Sequence, residues 1–271
     1  MPELPEVEVI VRELREKIPG EELSDIQIYW KKTFVSDGYP LPVFNTIHAV
    51  NRRGKFIIIR LNQLFLIIHL RMTGKLIVSD TVPVDRKHLQ VQFLFKSGKA
   101  LLFYDPRKFG RIYLTPDPEE FFSNLGVDAI DPQFSKHDFT RMLSRKKGSI
   151  KPFLLDQHHL AGLGNIYVDE SLFRARIHPE TSIRALSVHE SSQLYQAIRK
   201  TLNGAIAHMG TTLADYRTPD GNSGRHQNFL KVYDREHETC FRCKSVIVKK
   251  RVGGRGTHFC PGCQPLKKKV R

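Results

Sequence analysis

The apolar residues of this chain change their spacing near its middle. From about residue 24 to about residue 114 they form short runs rich in β-branched side chains, such as Phe56-Ile57-Ile58-Ile59 and Phe65-Leu66-Ile67-Ile68. Two further runs, Leu89 to Phe95 and Ala100 to Tyr104, flank Lys96-Ser97-Gly98-Lys99, which has the composition of a hairpin turn. Several short strands with turns between them predict a β-sandwich or a barrel.

The apolar residues of the second half follow a helical period. The longest predicted helix runs from Val188 to Met209, where Ser187 and Glu190 form a capping box at its start and Gly210 ends it. A first helix, from Val7 to Ile18, precedes the strands, with Pro5 in its first turn. Helices are also predicted over Asp138–Lys146, Ile150–Gln157 and Asn165–Ile177.

Composition indicates where these parts begin and end. The segment 115–137 mixes prolines with acidic residues, which is typical of a linker. The end of the chain is rich in cysteine, glycine and lysine and is too short for a core of its own. The predicted organisation is a first helix with a β-sandwich over 1–114, a linker over 115–137, a helical domain over 138–234, and a cysteine-rich segment with a basic tail over 235–271.

The net charge indicates the kind of partner. Lys and Arg number 43 against 28 Asp and Glu, so the formal net charge is +15 and the pI is near 9.8. A chain this basic usually binds a polyanion, and nucleic acid is the commonest one. No run of about 18 apolar residues is present, and the glutamate-rich start is not typical of a secretory signal. We therefore expect a cytoplasmic protein, located with the nucleoid, that does not bind membranes.

The start of the chain carries candidate chemistry. Removal of Met1 would leave Pro2 with a secondary amine, and such amines attack electrophilic carbons and form Schiff-base-type intermediates. Glu3 is the adjacent carboxyl group and is placed to transfer a proton. The positive end of the first helix dipole would lower the pKa of the amine. The alternative is an ordinary amphipathic helix with a capped start.

All four cysteines fall in one pattern, Cys240-x2-Cys243-x16-Cys260-x2-Cys263. This spacing is typical of a four-thiolate zinc ribbon, and two disulfides are the alternative. Four thiolates leave no open coordination position, so the predicted zinc is structural. Between the cysteine pairs lies a basic, glycine-rich hairpin, residues 249–256, which is suited to approach a phosphate backbone.

Three other motifs have both a functional and an ordinary interpretation. Arg52-Arg53-Gly54-Lys55 precedes a strand and could be a solvated turn. In Asp105-Pro106-Arg107-Lys108-Phe109-Gly110 the aromatic ring could be a wedge between bases or part of the core, and Met72 has the same two interpretations. Gly162-Leu163-Gly164-Asn165 opens a helix and could hold a phosphate or simply form a tight turn.

Taken together, the motifs resemble those of formamidopyrimidine-DNA glycosylase, the bacterial enzyme that excises oxidised purines. They occur in family order over essentially the whole chain. The matching segments are Met1-Pro2-Glu3-Leu4-Pro5-Glu6-Val7-Glu8, Arg52-Arg53-Gly54-Lys55-Phe56, His69-Leu70-Arg71-Met72, Asp105 to Gly110, Gly162 to Glu170, and Gly254 to Cys260.

The resemblance implies an α+β architecture and a function. The expected fold is an N-terminal helix with a β-sandwich, followed by a helical domain of the helix-two-turn-helix type with a four-Cys zinc finger. Damaged double-stranded DNA would lie across the cleft between the domains. The implied activity is excision of 8-oxoguanine and formamidopyrimidines through a Pro2 Schiff base, followed by strand cleavage by β- and then δ-elimination. The implied state is a monomer with one structural zinc ion and no catalytic metal or organic cofactor.

The resemblance also assigns roles at matching positions. Pro2 would be the nucleophile, Glu3 the acid that helps to open the sugar, and Glu6 a supporting residue. Lys55 would act in elimination and contact phosphate, and Arg255 would contact phosphate and assist the second elimination. The resemblance further implies DNA contacts by His88, Arg107, Lys147, Lys151 and Asn165, filling of the gap left by the flipped nucleotide by Met72, Arg107 and Phe109, and zinc binding by Cys240, Cys243, Cys260 and Cys263.

Two departures from the family and two alternative functions remain open. Ala214 stands where relatives often have Lys or Arg, which puts base-specific contacts in doubt, and Asp234 stands where they usually have Gly, so that turn could differ.

One alternative is the sister enzyme endonuclease VIII, which prefers oxidised pyrimidines; Leu4 and the combination of Met72, Arg107 and Phe109 favour the purine enzyme. The other is a non-enzymatic zinc-ribbon protein that binds lesions, which would not need Pro2 and Glu3.

Overall fold

The structure is a computed structural model that describes residues 1–81, 85–213 and 216–267. The chain divides into two compact units, Met1–Asn124 with Ile206–Gln227, and Leu125–Ala205 with Asn228–Arg271. Helices and strands are mixed in the way that the sequence predicts, so the α+β fold class is confirmed. Ala214 and the end of the basic tail, residues 268–271, lie outside the described residues.

The first unit begins with helix α1, Leu4–Lys17, which starts three residues before the predicted Val7. It starts early because Glu3 and Glu6 form a capping box around the first turn and Pro5 has no N–H to satisfy there. The apolar face of α1 lies in the main core of the unit, which includes Val7 and Leu14. The capped start thereby fixes the backbone at the beginning of the chain.

Two sheets form the sandwich of the first unit. Within the described residues, one sheet has the strand order β1-β7-β8-β6 and is antiparallel, and the other has the order β2-β9-β5-β4-β3, in which only β2 and β9 are parallel. The strands are β1 Leu23–Ile28, β2 Phe34–Val35, β3 Ala49–Arg53, β4 Phe56–Arg60, β5 Phe65–His69, β6 Lys75–Ser79, β7 Leu89–Phe95, β8 Ala100–Tyr104 and β9 Arg111–Thr115.

Both sheets contribute to one apolar core. Ile57 and Ile68 come from the five-stranded sheet and Phe93 and Phe103 from the four-stranded one, and all four side chains are almost completely buried. The predicted hairpin at Lys96-Ser97-Gly98-Lys99 is confirmed, because β7 and β8 pair on either side of it. The prediction of a sandwich is therefore confirmed over the predicted β-region.

The predicted linker, residues 115–137, contains regular structure. It holds helix α2, Pro118–Phe121, and strand β10, Val127–Asp128. The ring of Phe122, which is 2% exposed, lies 5.3 Å from that of Phe56 in β4. Aromatic burial anchors the beginning of this segment to the sandwich, which the prolines and acidic residues do not reveal.

The second unit is mainly helical and ends in a hairpin. Its longest helix, α6 Val188–Ala207, continues into the first unit with its last two residues, Ile206 and Ala207. The predicted capping box of α6 is confirmed, because the Ser187 backbone N–H donates to Glu190 Oε2 at 3.0 Å. The elements after β10 are α3 Lys136–Ser144, α4 Ile150–Leu155, β11 Leu160–Ala161, α5 Asn165–Ala175, α6 Val188–Ala207, and the antiparallel pair β12 Val248–Val252 and β13 Arg255–Phe259.

Residues 206–227 differ most from the predicted organisation, which placed them in the helical domain. They belong to the first unit. Tyr216 lies in the sandwich core, the Thr211 backbone N–H donates to Glu6, and Asp220 forms an ion pair with Lys17 of α1. Contacts with α1 therefore join this late segment to the beginning of the chain.

Candidate active site

The candidate nucleophile lies at the start of α1. Pro2 is buried, and Glu3, at 3% exposed, is the residue that caps the helix. The Glu3 backbone N–H donates to Glu6 Oε2 at 2.8 Å. The predicted residues Pro2, Glu3 and Glu6 therefore form one buried group at the positive end of the helix dipole.

Glu6 also binds the segment that returns to the first unit. Its Oε1 accepts the Thr211 backbone N–H at 2.7 Å. Gly210 has φ +79°, and a Cβ there would lie 2.9 Å from Glu6 Oε1, so this close approach requires glycine. The hydroxyl of Tyr216 donates to the Glu6 backbone carbonyl at 3.5 Å. Burial and the negative charges of Glu6 and Glu13 raise the pKa of Tyr216, so its hydroxyl remains protonated.

Lys55 lies in the turn between β3 and β4, and α1 packs against both strands. Its side chain is buried, at 7% exposed. The turn is held by Arg52, whose guanidinium donates to the Gly54 carbonyl at 3.0 Å and to Glu8 Oε2 of α1 at 2.8 Å. Burial raises the pKa of Glu8, but the hydrogen bonds and charges of Arg52 and Arg12 outweigh it and hold this pKa below its ordinary value.

His69 is a residue of this region whose role the sequence does not reveal. Burial, with the positive charges of Arg71 and Lys55, lowers its pKa to about 3, so the imidazole is neutral. Its Nδ1 accepts the Arg71 backbone N–H at 2.9 Å, and its ring meets the Phe56 ring edge-on at 4.6 Å. The neutral ring shapes the turn that precedes Met72.

The predicted gap-filling residues lie at exposed tips of the sandwich. Met72 is 42% exposed in the β5–β6 loop, and Phe109 is 48% exposed in the β8–β9 loop. The guanidinium of Arg107 lies 4.8 Å from the centre of the Phe109 ring. His88 is exposed in the loop before β7. Neither side chain is in the core, so the core interpretation of Met72 and Phe109 is wrong, and their gap-filling role stays a prediction.

The second unit presents Arg255 at the tip of the β12–β13 hairpin. Arg255 is exposed and pairs with Val252 across a turn in which Gly253 and Gly254 have φ +56° and +77°. A Cβ on Gly253 would lie 2.7 Å from Pro152, so the turn requires glycine where it meets α4. Lys147 is also exposed, in the loop before α4.

Asn165 and Lys151 both bind the hairpin. The Asn165 side-chain amide donates to the Gly256 carbonyl at 2.8 Å, and its Oδ1 is buried without a hydrogen-bond partner among the described residues. Lys151 Nζ donates to Asp169 Oδ1 at 2.6 Å and to the Gly256 carbonyl at 3.3 Å. Asp169 Oδ2 accepts the backbone N–H of His258 at 2.8 Å.

This arrangement corrects the predicted DNA contact by Lys151. Its side chain is 0% exposed and so has no surface to offer to a phosphate. Lys151 instead forms a buried ion pair that connects α4 and α5 with the strand that carries Arg255. Asp169 lies within the matching motif, but only the fold shows that its charge is internal.

The four cysteines converge as a metal site requires. Their Sγ atoms lie within 4.8 Å of one another, with Cys240 and Cys263 at 3.8 Å and Cys243 and Cys260 at 3.3 Å. Tetrahedral zinc with bonds of about 2.3 Å needs sulfur atoms roughly 3.8 Å apart. The backbone N–H groups of Arg242 and Cys263 donate to Cys240 and Cys260 Sγ at 3.4 Å. The residues fit a closed, structural zinc site.

The turn at Asp234 keeps the backbone that glycine would adopt. Asp234 has φ +59°, in the left-handed region. The three preceding backbone N–H groups, from Lys231 to Tyr233, donate to the buried carboxylate of Glu170 at 2.8–3.0 Å. The left-handed backbone that glycine favours is therefore present at this position although the residue is aspartate. In the described part of the chain, no helix is long and apolar enough to cross a membrane.

Comparison with known proteins gives matches over nearly the whole chain. Family models match the formamidopyrimidine-DNA glycosylase N-terminal domain at residues 1–112, the H2TH domain of the same enzyme at 125–216, and a zinc finger found in FPG and IleRS at 238–266. Formamidopyrimidine-DNA glycosylase of Pelotomaculum thermopropionicum is 41% identical over 98% of this chain and 100% of its own length. That of Oceanobacillus iheyensis is 40% identical over 100% of both.

Solved structures of similar fold contain damaged DNA. A Lactococcus lactis FPG mutant in complex with a Fapy-dG containing DNA has a TM-score of 0.90 and 36% identity, and covers 97% of this chain and 100% of its own. Lactococcus lactis Fpg with an abasic site containing DNA has a TM-score of 0.89 and 36% identity, with 97% and 99% covered.

Proposed function

Because the chain belongs to the formamidopyrimidine-DNA glycosylase family, we propose that it is a bifunctional DNA glycosylase and AP lyase that excises 8-oxoguanine and formamidopyrimidines from double-stranded DNA. The observation that carries this proposal is the buried group at the start of α1, where Pro2 precedes the Glu3–Glu6 capping box. A protein that only bound lesions would need the basic surface and the zinc but not this group.

The chemistry begins with removal of Met1, which frees the Pro2 amine. The nitrogen lone pair attacks C1′ of the flipped nucleotide, the glycosidic bond breaks, and the base leaves with a proton. Glu3 donates a proton to the sugar ring oxygen as the ring opens and an iminium forms between Pro2 and C1′. Glu6 keeps its position through its bonds to Glu3 and Thr211, so it supports the site rather than exchanging protons.

Strand cleavage follows from the same intermediate. The iminium acidifies the C2′ proton; its loss expels the 3′ phosphate, and a second elimination expels the 5′ phosphate. Water then releases Pro2. Lys55, held by the Arg52–Glu8 pair, assists elimination and binds phosphate, and Arg255 serves the second elimination from the tip of its hairpin.

DNA binding uses exposed side chains of both units that can contact phosphate. His88 and Arg107 belong to the first unit, and Lys147 and Arg255 to the second. Asn165, at the start of α5, binds phosphate through the helix N-terminus. Because phosphate contacts release counterions, affinity should fall steeply with salt. The solved relatives with Fapy-dG and abasic-site DNA support this choice of partner.

A flipped nucleotide leaves a gap in the duplex. Unstacking a nucleotide costs roughly a few kcal/mol, and a side chain inserted into the gap offsets part of this cost. DNA glycosylases are a general example of enzymes that flip their target nucleotide out of the duplex. Met72, Arg107 and Phe109 are the exposed side chains that match this task. Their combination favours oxidised purines over the oxidised pyrimidines that endonuclease VIII prefers.

The test is borohydride trapping on duplexes that carry 8-oxoguanine opposite cytosine, an oxidised pyrimidine, or no lesion. We expect a covalent adduct through Pro2 on the 8-oxoguanine duplex. An adduct mainly with the pyrimidine lesion would assign the endonuclease VIII specificity, and binding without any adduct would favour the non-enzymatic protein. Mass spectrometry of the purified protein establishes that Met1 has been removed.

Two variants separate chemistry from binding. Pro2→Gly should reduce excision by about a hundredfold or more while duplex affinity is kept, since a primary amine on a flexible residue replaces the ring-held secondary amine and the phosphate contacts are unchanged. Pro5→Ala is the matched control, because alanine is accommodated in the first helical turn and Pro5 has no role in the reaction. Unchanged turnover of Pro2→Gly would show that excision does not require the secondary amine of Pro2.

A further inference from the structure

Asp105 occupies the point where the loops of the sandwich tip meet. It directly follows β8, and it is a carboxylate with 0% exposure. Its Oδ1 accepts the Thr73 hydroxyl at 2.5 Å and the Arg107 backbone N–H at 3.2 Å. Its Oδ2 accepts the Gly110 backbone N–H at 2.7 Å. One side chain thus binds the loop of Met72 and both ends of the loop that contains Arg107.

The backbone of Asp105 binds the third loop. Its N–H donates to the His88 carbonyl at 2.9 Å. The side-chain amide of Gln90, which is 3% exposed, donates to the carbonyls of both His88 and Asp105, at 3.0 and 3.1 Å. Residues 70–74, 85–88 and 105–110, named here the insertion loops, are therefore joined at a single buried residue.

Each insertion loop holds one exposed basic residue in a strained backbone conformation. Arg71, His88 and Lys108 have φ of +54°, +66° and +59°. Such residues persist only where the surrounding structure fixes them, and they concentrate at functional sites. The bonds to Asp105 supply this restraint at the base of the loops, while Met72 and Phe109 stay exposed at the tips.

The junction is also closed sterically. A Cβ at Gly110 would lie 2.4 Å from the Phe103 ring and 3.2 Å from Asp105 Oδ2. Gly110 can therefore approach both groups only because it has no side chain. Hydrogen bonds and close steric contact therefore both restrain the base of the insertion loops.

We propose that Asp105 is a positioning residue that holds the three insertion loops as one preorganised wedge, and that this wedge sets the rate at which the lesion leaves the duplex. The inference rests on the proposed glycosylase function. Asp105 does not touch DNA; it acts through Met72, Arg107 and Phe109. A wedge fixed in advance loses less entropy when it enters the gap, so breaking its restraints slows flipping and leaves the Pro2 chemistry intact.

Thr73 gives the cleanest test because it can be changed without removing the carboxylate. Thr73→Val replaces the hydroxyl with a methyl group of the same shape, and Thr73→Ser keeps the hydroxyl and serves as the matched control. A hydrogen bond to a charged group contributes enough that its loss should slow single-turnover excision from the 8-oxoguanine duplex about tenfold to a hundredfold. Thr73→Ser should stay within about threefold of the unchanged protein.

A second measurement separates flipping from chemistry. Borohydride trapping on a single-stranded oligonucleotide with a preformed abasic site needs no base pair to open, so Thr73→Val should trap at the normal rate there. 2-Aminopurine placed beside the lesion reports unstacking, and its fluorescence rise should slow with the duplex excision rate. Asp105→Asn should show a larger effect, provided that its thermal unfolding shows an intact fold.

The outcomes distinguish the two proposals. Absence of trapping by the unchanged protein on any substrate overturns the proposed function itself. Normal duplex excision by Thr73→Val, with an active unchanged protein, overturns the positioning role alone. Equal loss on the duplex and on the single-stranded abasic site also overturns it, because Thr73 would then act on the chemistry. Slow duplex excision with normal single-stranded trapping and rescue by serine supports it.

Discussion

The two compact units hold their candidate functional residues by different means. In the first, Pro2 and Glu3 begin a helix whose apolar face lies in a sandwich core shared by two sheets. In the second, Arg255 lies on a short hairpin that depends on four thiolates and a buried Lys151–Asp169 pair. A large core spreads its stability over many contacts, whereas a small one needs a metal or another staple.

Loss of zinc should have the largest effect and should be confined to the second unit. Cys260→Ser removes one ligand of the closed site, and structural zinc supplies much of the folding free energy of such segments. We expect loss of bound zinc and at least a tenfold loss of duplex affinity, because the hairpin that presents Arg255 is no longer fixed. Metal analysis and fluorescence anisotropy measure the two effects.

A chelator provides the control without a substitution. Treatment of the unchanged protein should reproduce the loss of affinity, and added zinc should restore it. The Lys17–Asp220 and Glu6–Thr211 contacts of the first unit do not involve the cysteines, so its unfolding transition should stay in place. Full duplex affinity in zinc-free protein would show that zinc does not hold the hairpin that carries Arg255, and the two units would then not differ in this respect.

The next effect in size concerns the buried ion pair. Lys151→Met leaves Asp169 charged in a site with 0% exposure, and breaking a buried pair costs about 3–5 kcal/mol. Lys151→Met combined with Asp169→Asn should recover most of this loss, because the buried charge is gone and the amide oxygen still accepts the His258 N–H. Urea unfolding of the unchanged protein, of Lys151→Met and of the double variant gives their free energies of unfolding.

Lys147→Met is the matched control for that series. Lys147 is exposed and lies four positions before Lys151, so its loss should change the free energy of unfolding by less than about 0.5 kcal/mol. A single Lys151→Met variant that is as stable as this control would show that the pair does not hold the hairpin.

The first unit should show its own sensitivity, to acid rather than to metal. The folded pKa of His69, about 3, lies below its ordinary value of 6.5 in an unfolded chain, so the unfolded state binds the extra proton. The stability that neutral His69 contributes to the folded state is fully present above about pH 6.5. It is lost as the pH falls toward 3, at about 1.4 kcal/mol of unfolding free energy per pH unit. Lowering the pH from 7 to 5 should therefore cost about 2 kcal/mol through His69.

His69→Gln tests this assignment, because its amide oxygen can still accept the Arg71 N–H but the side chain does not titrate. The stability difference between pH 7 and pH 5 should shrink by the amount that His69 contributes. His48→Gln, at an exposed histidine of the same unit, is the matched control for the substitution itself. Equal pH dependence in both variants would show that His69 does not control the acid response.

Features that depend on local patterns could be predicted from the sequence. The strands β4, β5, β7 and β8, the capping box of α6 and the cysteine spacing each involve neighbouring residues. The attachment of residues 206–227 to the first unit could not be predicted, because Glu6 and Thr211 are 205 positions apart. Their pairing depends on the completed sandwich and not on either local segment.

The same limit applies within the candidate site. The motif from Asp105 to Gly110 indicates Arg107 and Phe109 through their side-chain types, but the role of Asp105 depends on Thr73 and His88 in other loops. Lys151 has a positive charge that could contact DNA, but the position of Asp169 on the neighbouring helix α5 makes it part of a buried ion pair. Residue type predicts what a side chain can do, whereas burial decides which of those options remains.

The smallest predicted effect lies at the turn that leads into the zinc segment. Asp234 has φ +59°, and among the residues that the structure describes its exposed side chain forms no hydrogen bond or ion pair that would offset the strain of a left-handed residue. Asp234→Gly should therefore stabilise the second unit by about 0.5 kcal/mol, Asp234→Asn should be neutral, and Asp234→Ala should cost about 0.5–1 kcal/mol. Urea midpoints rank the three. Alanine that is tolerated as well as glycine would show that the hydrogen bonds from Lys231, Val232 and Tyr233 to Glu170 do not fix this turn. The stability of the second unit would then depend less on individual polar contacts than its contrast with the sandwich of the first unit implies.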